Sequence, residues 1–570
     1  MCGIAGFVGS GDRRVIEKMT ETLRYRGPDD DGFFVDPRDR IALGFRRLSV
    51  IDLKGGGQPI FNEDKKVVVI FNGEIYNFKD LRRKLLDKHR FYTNTDTDVI
   101  VHLYEERGEK FLSEIEGMFA IALWDSKLKK LLLARDRVGE KPLYWMFERD
   151  LFAFASEPKA LFMHPGIPKE LDRKSLFKYM MYEYIPSPNT IFKNIKKIEP
   201  AHYLVFQNNN VIINRYYDIT STPRLEKSLS DTKTVVCVLE QKLDTAVRER
   251  LVADVPVGVF LSGGLDSSTI AYFAQKNSQK PIKTFSIGFE EPSFNESSWA
   301  EKVARRIGAD HHTYRFTAKE CVDIIPGVFS LLDEPLADAS LLPTYLLARF
   351  TRKHVTVALG GDGADELFFG YNTFVAHKLW KLYAYRPQVV HKILTMFAKK
   401  LPVYHSYFSF DFKLKRFLEA DVVDDLIRNQ LWLGAFHPNE YKDLFSKAML
   451  VDMPRNIFED IDIQRDRIRG LEKFLQLGYS YLKHYMAEDI LVKIDRATMF
   501  NSLEVRSPFL DTNLAEYVFS LPVNLKLHGF KTKYILKRLM TGHLGADVVN
   551  RSKQGFSIPL ARWLAPSVAP

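Results

Sequence analysis

The stretch VPVGVFLSGGLDSSTIAYFA, Val255 to Ala274, constrains this chain more than any other. Its apolar, β-branched opening, Val255 to Leu261, predicts a buried strand. Ser262, Gly263, Gly264, Leu265, Asp266, Ser267 and Ser268 then break the run. Thr269 to Phe273 predict a helix whose first turn carries small hydroxyl residues. Strand, glycine–serine turn and helix start together make an anion cradle. Glycines admit backbone N–H groups close to a phosphate, and the helix dipole favours negative charge there. No lysine follows the glycines, so this is not a Gly-x-x-x-x-Gly-Lys-Ser/Thr loop. A bare Ser-Gly-Gly would suit an ordinary strand-to-helix turn equally well.

The surroundings decide what kind of sheet holds that turn. Thr234 to Val252 has apolar residues at helical spacing and leads into the strand. Further strands are predicted at Ile282 to Phe289 and at His354 to Leu359, the latter running into Gly360, Gly361, Asp362, Gly363, Ala364, Asp365 and Glu366. Strands alternating with helices imply a parallel, doubly wound sheet whose ligands sit beyond the carboxyl ends of its strands. The first half reads differently. From Gly117 to Leu161, MFAIALWD, KKLLLARDRVG, KPLYWMF and LFAFASEPKAL alternate with turns, the pattern of antiparallel sheet. At 570 residues two or more domains are expected. The boundaries read are 2–213 and 234–570, joined by a Ser/Thr/Pro/Lys-rich linker at 214–233.

Lys plus Arg number 82 and Asp plus Glu 72, a net charge of +10 that suits anionic substrates but is too mild to indicate nucleic acid. The basic, aromatic region Phe374 to Phe445 has helical periodicity and reads as packing rather than a nucleic-acid surface. Cys2, Cys237 and Cys321 lie far apart without metal spacing, so a reducing, cytoplasmic setting is expected. No apolar run approaches the roughly 18 residues of a membrane span, and MCGIAGFVGSGDRR, without a basic leader and apolar segment, is not expected to be a signal peptide.

SGGLDSS resembles the PP-loop of ATP pyrophosphatases, which cleave ATP between its α and β phosphates. MCGIAGF, the Arg26–Asp29 RGPD, RLSVID from Arg47 and NGEIYN from Asn72 occur in one order and resemble a class II glutamine amidotransferase domain. GGDGADE, EDILVKIDRATMFNSLEVRSPFLD from Glu488 and RSKQGF from Arg551 complete a resemblance to the glutamine-hydrolysing asparagine synthetase family. The fold it implies is an α/β multidomain one. An N-terminal-nucleophile (Ntn) hydrolase αββα sandwich precedes a doubly wound parallel-sheet domain of the adenine nucleotide α-hydrolase kind, with additional helices.

The resemblance implies roles residue by residue. Cys2, once Met1 is removed, is the nucleophile whose own α-amine serves as base. Asn72 and Gly73 form an oxyanion hole, Arg47 forks the glutamine carboxylate, and Glu74 and Asp96 hold its ammonium. Asp96 is preferred to Asp98 within the Thr-Asp-Thr-Asp stretch at 95–98. Asn72–Gly73, after the strand Val67 to Phe71, also suits a hairpin turn. Ser262, Gly263, Gly264, Ser267 and Ser268 hold pyrophosphate. Backbone groups of Leu261, Ile287, Gly360 and Gly361 meet the nucleotide, and Asp266 and Asp365 meet Mg²⁺. Lys553 meets pyrophosphate. Asp362 stands where one branch of the family carries a glutamate that assists acyl-adenylate chemistry. Asp333, Glu334 and Asp338 suit either an acceptor pocket or a capped helix start.

The substrates implied are glutamine, ATP and aspartate or another carboxylate acceptor such as a cell-wall or polysaccharide precursor, with no nucleic-acid or membrane partner; a homodimer is compatible. A PP-loop enzyme that modifies tRNA, and a non-catalytic relative, fit the intact motifs less well. The chain stops at Pro570, some tens of residues sooner after RSKQGF than is usual for such relatives.

Overall fold

The structure, a computed structural model, describes residues 2–225, 231–290, 295–402, 409–551 and 555. Lys553 lies outside them. The first domain holds two six-stranded antiparallel sheets. One runs, in spatial order, Lys196–Lys197, Tyr144–Glu148, Leu151–Ala155, Cys2–Val8, Ile41–Arg47 and Asp30–Asp36. The other runs Asn210–Arg215, His202–Gln207, Lys130–Arg135, Gly117–Asp125, Val67–Ile75 and Ile60–Phe61.

Period-two side chains distribute these strands between three cores. Cys2 and Ile4 face the layer between the sheets, together with Val68 and Ile70. Ala5 and Phe7 face out onto Ile16 and Met19 of the Arg13–Glu21 helix and onto Leu23 in the turn after it. Val67, Val69 and Phe71 pack against the helices Phe78–Leu85 and Asp98–Arg107. Each sheet is therefore covered on both faces, which is why its strands read as almost unbroken apolar runs. The layers are therefore αββα, the sandwich expected from the sequence. The Val67–Ile75 strand continues straight through Asn72 and Gly73, with Asn72 opposite Ala120 and Gly73 opposite Phe119. The alternative of a hairpin turn there is not realised, because Gly117–Asp125 supplies nine paired residues to hold the strand extended.

The second domain centres on a parallel five-stranded sheet, in spatial order Asp310–Phe316, Lys283–Phe289, Val257–Phe260, Val357–Leu359 and Glu504–Arg506. Order reverses between Val257–Phe260 and Val357–Leu359. The two glycine-rich turns that follow those strands meet there, at the switch point where such sheets bind ligands. Helices Thr232–Arg250 and Leu265–Lys276 cover one face and Leu341–Thr351 the other. Two strands were not legible as such. DHHTYRF (310–316) is polar because it is an edge strand, where charge and histidine deter further pairing. Glu-Val-Arg (504–506) is only three residues long.

The domains share surface extensively. Phe177, Met181, Tyr182 and Tyr184, from the first half of the sequence, are buried in a core of the second domain. No helix among the described residues is long and apolar enough to cross a membrane.

Candidate active sites

Strand register assembles the first site. Cys2 lies opposite Arg47 on the neighbouring strand, and the Cys2 N–H donates to Asn72 Oδ1 at 2.9 Å. With that oxygen engaged, Asn72 Nδ2 is buried and makes no hydrogen bond among the described residues. A buried amide donor left unmade costs stability, so its presence beside the thiol marks a place for an incoming oxygen. Gly73 is required by space as well: an added Cβ would lie 2.1 Å from the Met118 carbonyl oxygen. Burial pushes the Cys2 thiol up, while a backbone hydrogen bond from Leu48 and the charge of Arg47 pull it down. Arg47 Nη2 donates to the carbonyls of Ile51 (3.1 Å) and Asp52 (2.7 Å). It pairs with no carboxylate among the described residues, so the rest of its fork is available.

Glu74 follows Asn72 by two residues, hence projects to the same side. Its Oε1 is buried and without a hydrogen bond. Asp96 Oδ2 accepts from the Ile75 N–H at 2.8 Å, and burial pushes its carboxyl up to about 6 against that bond. Asp98 is occupied elsewhere: its Oδ2 accepts from the N–H groups of Tyr92 and Thr93 and so shapes the loop.

Sequence reasoning did not anticipate that the second domain reaches into this site. Arg506 Nη2 donates to Glu74 Oε2 (3.0 Å) and its Nε to Glu504 Oε1 (2.7 Å), with all three residues buried. Its Nη1 caps the carbonyls of Arg250 and Val252. Against the cost of burial, Glu504 and Glu74 hold the guanidinium charged. Despite burial, positive charge that includes Arg506 holds Glu504 down at about 2. The backbone of the same residue serves the other site, because the Gly360 N–H donates to the Arg506 carbonyl at 2.9 Å. A second bridge forms at Arg26, the first residue of RGPD. It donates to the Cys2 carbonyl (3.1 Å), to Glu157 (2.7 Å) and in a fork to Asp495 (2.8 and 2.9 Å).

At the second site Ser262 and Ser267 close the turn on itself. Their hydroxyls lie 3.0 Å apart, the Ser262 N–H donates to Ser267 Oγ and the Gly264 N–H to Ser262 Oγ. Gly263 has φ +74°, and a Cβ there would sit 2.5 Å from the Trp299 carbonyl carbon; only glycine fits. A Cβ on Gly361 would approach the Ser267 nitrogen to 3.0 Å, so the two glycine turns are in direct contact. Ser268 is fully buried and its hydroxyl has no hydrogen-bond partner among the described residues. The N–H groups of Leu261 and Gly360 are spent on Phe285 and Arg506. Any contact they make with a nucleotide must therefore use their carbonyl side. Ile287 is buried within Lys283–Phe289.

Asp266 and Asp365 converge on one point, which Lys533 Nζ holds at 2.5 and 2.6 Å. Lys533 precedes the Tyr534–Leu544 helix with φ +52°. A cation at a helix N-terminus is ordinarily disfavoured, and these two carboxylates are the reason it stands there. Nothing local in the sequence marks it. Arg551, which opens RSKQGF, donates to the Ser262 carbonyl (3.4 Å) and pairs with Glu296 (2.5 Å).

The residues read as an acceptor pocket divide. Asp333 pairs with Lys159 and Glu334 accepts from the Ile191 N–H, so both belong to the contact between domains. Asp338 does both things expected of it. Its Oδ1 accepts from Ser340 at the start of Leu341–Thr351, and its Oδ2 accepts from Lys493 Nζ at 2.9 Å. Burial raises Asp362, which Lys493 opposes. Lys493 follows Tyr481–Ile490, a π-helical stretch of the kind that recurs at functional sites. Asp489 in that stretch is buried, with an oxygen that makes no hydrogen bond among the described residues. An apolar cluster lies at the contact between the domains: Leu48, Val50 and Met118 from the first domain pack on Val357 and Met499 from the second.

Residues 238–569 match the asparagine synthase family and residues 1–217 the glutamine amidotransferase domain. Glutamine-hydrolyzing asparagine synthetase 1 of Bacillus subtilis (strain 168) is 34% identical over 99% of this chain and 88% of its own length. Asparagine synthetase 3 of the same organism is 32% identical over 98% of this chain and 87% of its own. Amidase chry2 of Gibberella zeae is 27% identical over 99% and 90%.

Proposed function

The chain belongs to the glutamine-hydrolysing asparagine synthetase family, and from that premise we propose how its residues divide the reaction. It is a glutamine-dependent ligase that consumes ATP. With Met1 removed, the Cys2 nitrogen beside Asn72 becomes a free amine of ordinary pKa about 7.7–8.0, able to take the proton of its own thiol. The thiolate attacks the side-chain amide carbon of glutamine. Asn72 Nδ2 and the Gly73 N–H receive the oxyanion, the Cys2 ammonium returns its proton to the amide nitrogen so that ammonia leaves, and water cleaves the thioester to glutamate and the free thiol. Arg47 takes the α-carboxylate of glutamine, and Glu74 Oε1 with Asp96 takes its ammonium.

Ammonia then crosses the apolar cluster, which supports passage without protonation by bulk water. In the second site the side-chain carboxylate of aspartate attacks the α-phosphorus of ATP. Pyrophosphate departs into the cradle of Ser262, Gly263, Gly264, Ser267 and Ser268, beside Lys533, with Lys553 in the same role. Ammonia attacks the acyl carbon and releases AMP and asparagine. Lys493, Asp338 and Asp489 offer a cation and anions to a zwitterionic acceptor, and Asp362 lies within the field of Lys493. Asp266 and Asp365, converging as they do, fit a Mg²⁺ ion shared with phosphates; such an ion would neutralise phosphate charge. Three free thiols support a cytoplasmic setting.

The observation that carries this reading is Arg506, whose side chain holds Glu74 of one site while its carbonyl holds Gly360 of the other. Purified protein given glutamine, ATP and aspartate should yield asparagine, glutamate, AMP and pyrophosphate in equal amounts. Glutamine hydrolysis with no asparagine would reject aspartate as acceptor and turn attention to another carboxylate, the reading that Asp362 in place of glutamate favours.

The role of Asp96 makes a pH prediction. A carboxyl pushed up to about 6 is ionised above that pH and neutral below it. Only the ionised form pairs with an ammonium, so KM for glutamine should climb as pH falls through 6, by roughly tenfold per pH unit once the neutral form dominates. Asp96→Asn should raise KM above pH 6, where the parent carboxylate is ionised, and erase that acid limb so that the two enzymes converge at low pH, while kcat changes little. A limb that persists in the variant would assign it to another group.

A further inference from the structure

On the helix-covered face of the first domain, four side chains that neither site uses turn toward one another. Glu63 comes from the turn before Val67–Ile75. His89 comes from the loop after Phe78–Leu85, and His102 and Glu105 lie three apart on Asp98–Arg107. Their ligand atoms lie within 4.8 Å of one another. His89 Nδ1 is 3.2 Å from Glu63 Oε1 and 3.8 Å from Glu105 Oε2, and His102 Nδ1 is 3.4 Å from Glu63 Oε2 and 3.6 Å from Glu105 Oε2. Four N/O ligands about 2.0–2.1 Å from a tetrahedral ion stand roughly 3.3–3.4 Å apart. The four imidazole–carboxylate distances lie within about half an ångström of that spacing, and all the ligand atoms lie within 4.8 Å of one another.

His102 is the observation that demands a partner. It is fully buried, yet neither ring nitrogen makes a hydrogen bond among the described residues, although two carboxylates flank Nδ1. The surroundings are arranged as an outer layer around a metal usually is. Glu105 Oε1 accepts from Asn62 Nδ2 (2.7 Å) and Glu63 Oε1 accepts from the Arg90 N–H (2.9 Å). The other ring nitrogens face carboxylates too, His102 Nε2 toward Asp98 (3.8 Å) and His89 Nε2 toward Glu106 (3.5 Å).

We propose that Glu63, His89, His102 and Glu105 form a closed, four-ligand site for a transition-metal dication, with Zn²⁺ the ion this two-imidazole, two-carboxylate set suits best. With no open position the site is structural. It pins the 86–97 loop, which Asp98 also holds and which carries Asp96 toward the glutamine site, to the outer helix.

The test uses the full-length protein stripped with a chelator and titrated with Zn²⁺, following metal content and unfolding midpoint. One ion per chain and a raised midpoint are expected. Co²⁺ in place of Zn²⁺ should show the absorption of a tetrahedral ion without a thiolate charge-transfer band, which separates this site from Cys2. His89→Gln and Glu105→Gln, both at partly exposed positions, should weaken binding at least ~10-fold, as even loss of an outer partner does, and abolish the midpoint shift. A stripped protein that takes up no ion overturns the proposal. So does a thiolate or octahedral Co²⁺ spectrum, or undiminished binding by both variants.

Discussion

Replacing Cys2 with alanine should end glutamine-dependent asparagine formation and leave ammonia-dependent formation close to the unmodified rate. No other thiol lies beside Asn72 and Arg47, so the thioester route loses its nucleophile outright. Losses on the order of 10⁴-fold or more follow when a covalent nucleophile is deleted. The substitution is mild for the fold. Cys2 is 7% exposed at the edge of the inter-sheet core, and beside the Leu48 N–H on its thiol it is held by its backbone, through the N–H to Asn72 and the carbonyl to Arg26. The bridges at Arg506 and Arg26 do not involve the thiol, so the adenylating site keeps its geometry. The assay compares glutamine with ammonium chloride as nitrogen source at a pH that leaves some ammonia unprotonated. If both activities vanish, the two sites depend on each other more deeply than the architecture implies. If glutamine still serves, Cys2 is not the nucleophile.

What could be read from the amino acids alone follows a physical divide. Cys2, Arg47, Asn72 and Glu74 stand in short runs whose chemistry is local: a thiol next to the N-terminus, and an amide, a glycine and an acid at strand spacing. The cradle at Ser262–Ser268 was visible for the same reason, since strand, turn and helix are contiguous. Arg506 and Lys533 were invisible because their partners lie hundreds of residues away, Glu74 for one and Asp266 for the other. Pairing of that range leaves no periodicity. The alternative of an Asn72–Gly73 hairpin is not realised because turn preference is a weak local bias, and a fully paired neighbouring strand outweighs it. Asp333 and Glu334 look like acceptor ligands only until Lys159 and Ile191 arrive from the other domain.

Lys533→Met should cost the enzyme its use of ATP, lowering pyrophosphate-releasing turnover by about 10²–10³-fold, the scale for losing one preorganised group that meets developing charge. Methionine has nearly the same length and keeps the buried stem packed, so the experiment isolates the charge. The ammonium lies 2.5 Å from Asp266 and 2.6 Å from Asp365. Gly370 makes room for it, since a Cβ there would lie 2.0 Å from Lys533 Cε; that crowding also argues against rescue by the broader arginine fork. Without the lysine the two carboxylates repel across a half-buried gap. Breaking a fully buried pair costs about 3–5 kcal/mol. Here Asp266 is 24% and Asp365 20% exposed, so water relieves part of it and a loss of about 2–3 kcal/mol is expected. Glutaminase activity should persist in the variant. Measuring turnover well below the variant's unfolding midpoint separates stability from chemistry: the folded variant should still release pyrophosphate slowly. Turnover that returns to the unmodified rate once the variant is kept folded would make Lys533 a structural counter-ion only.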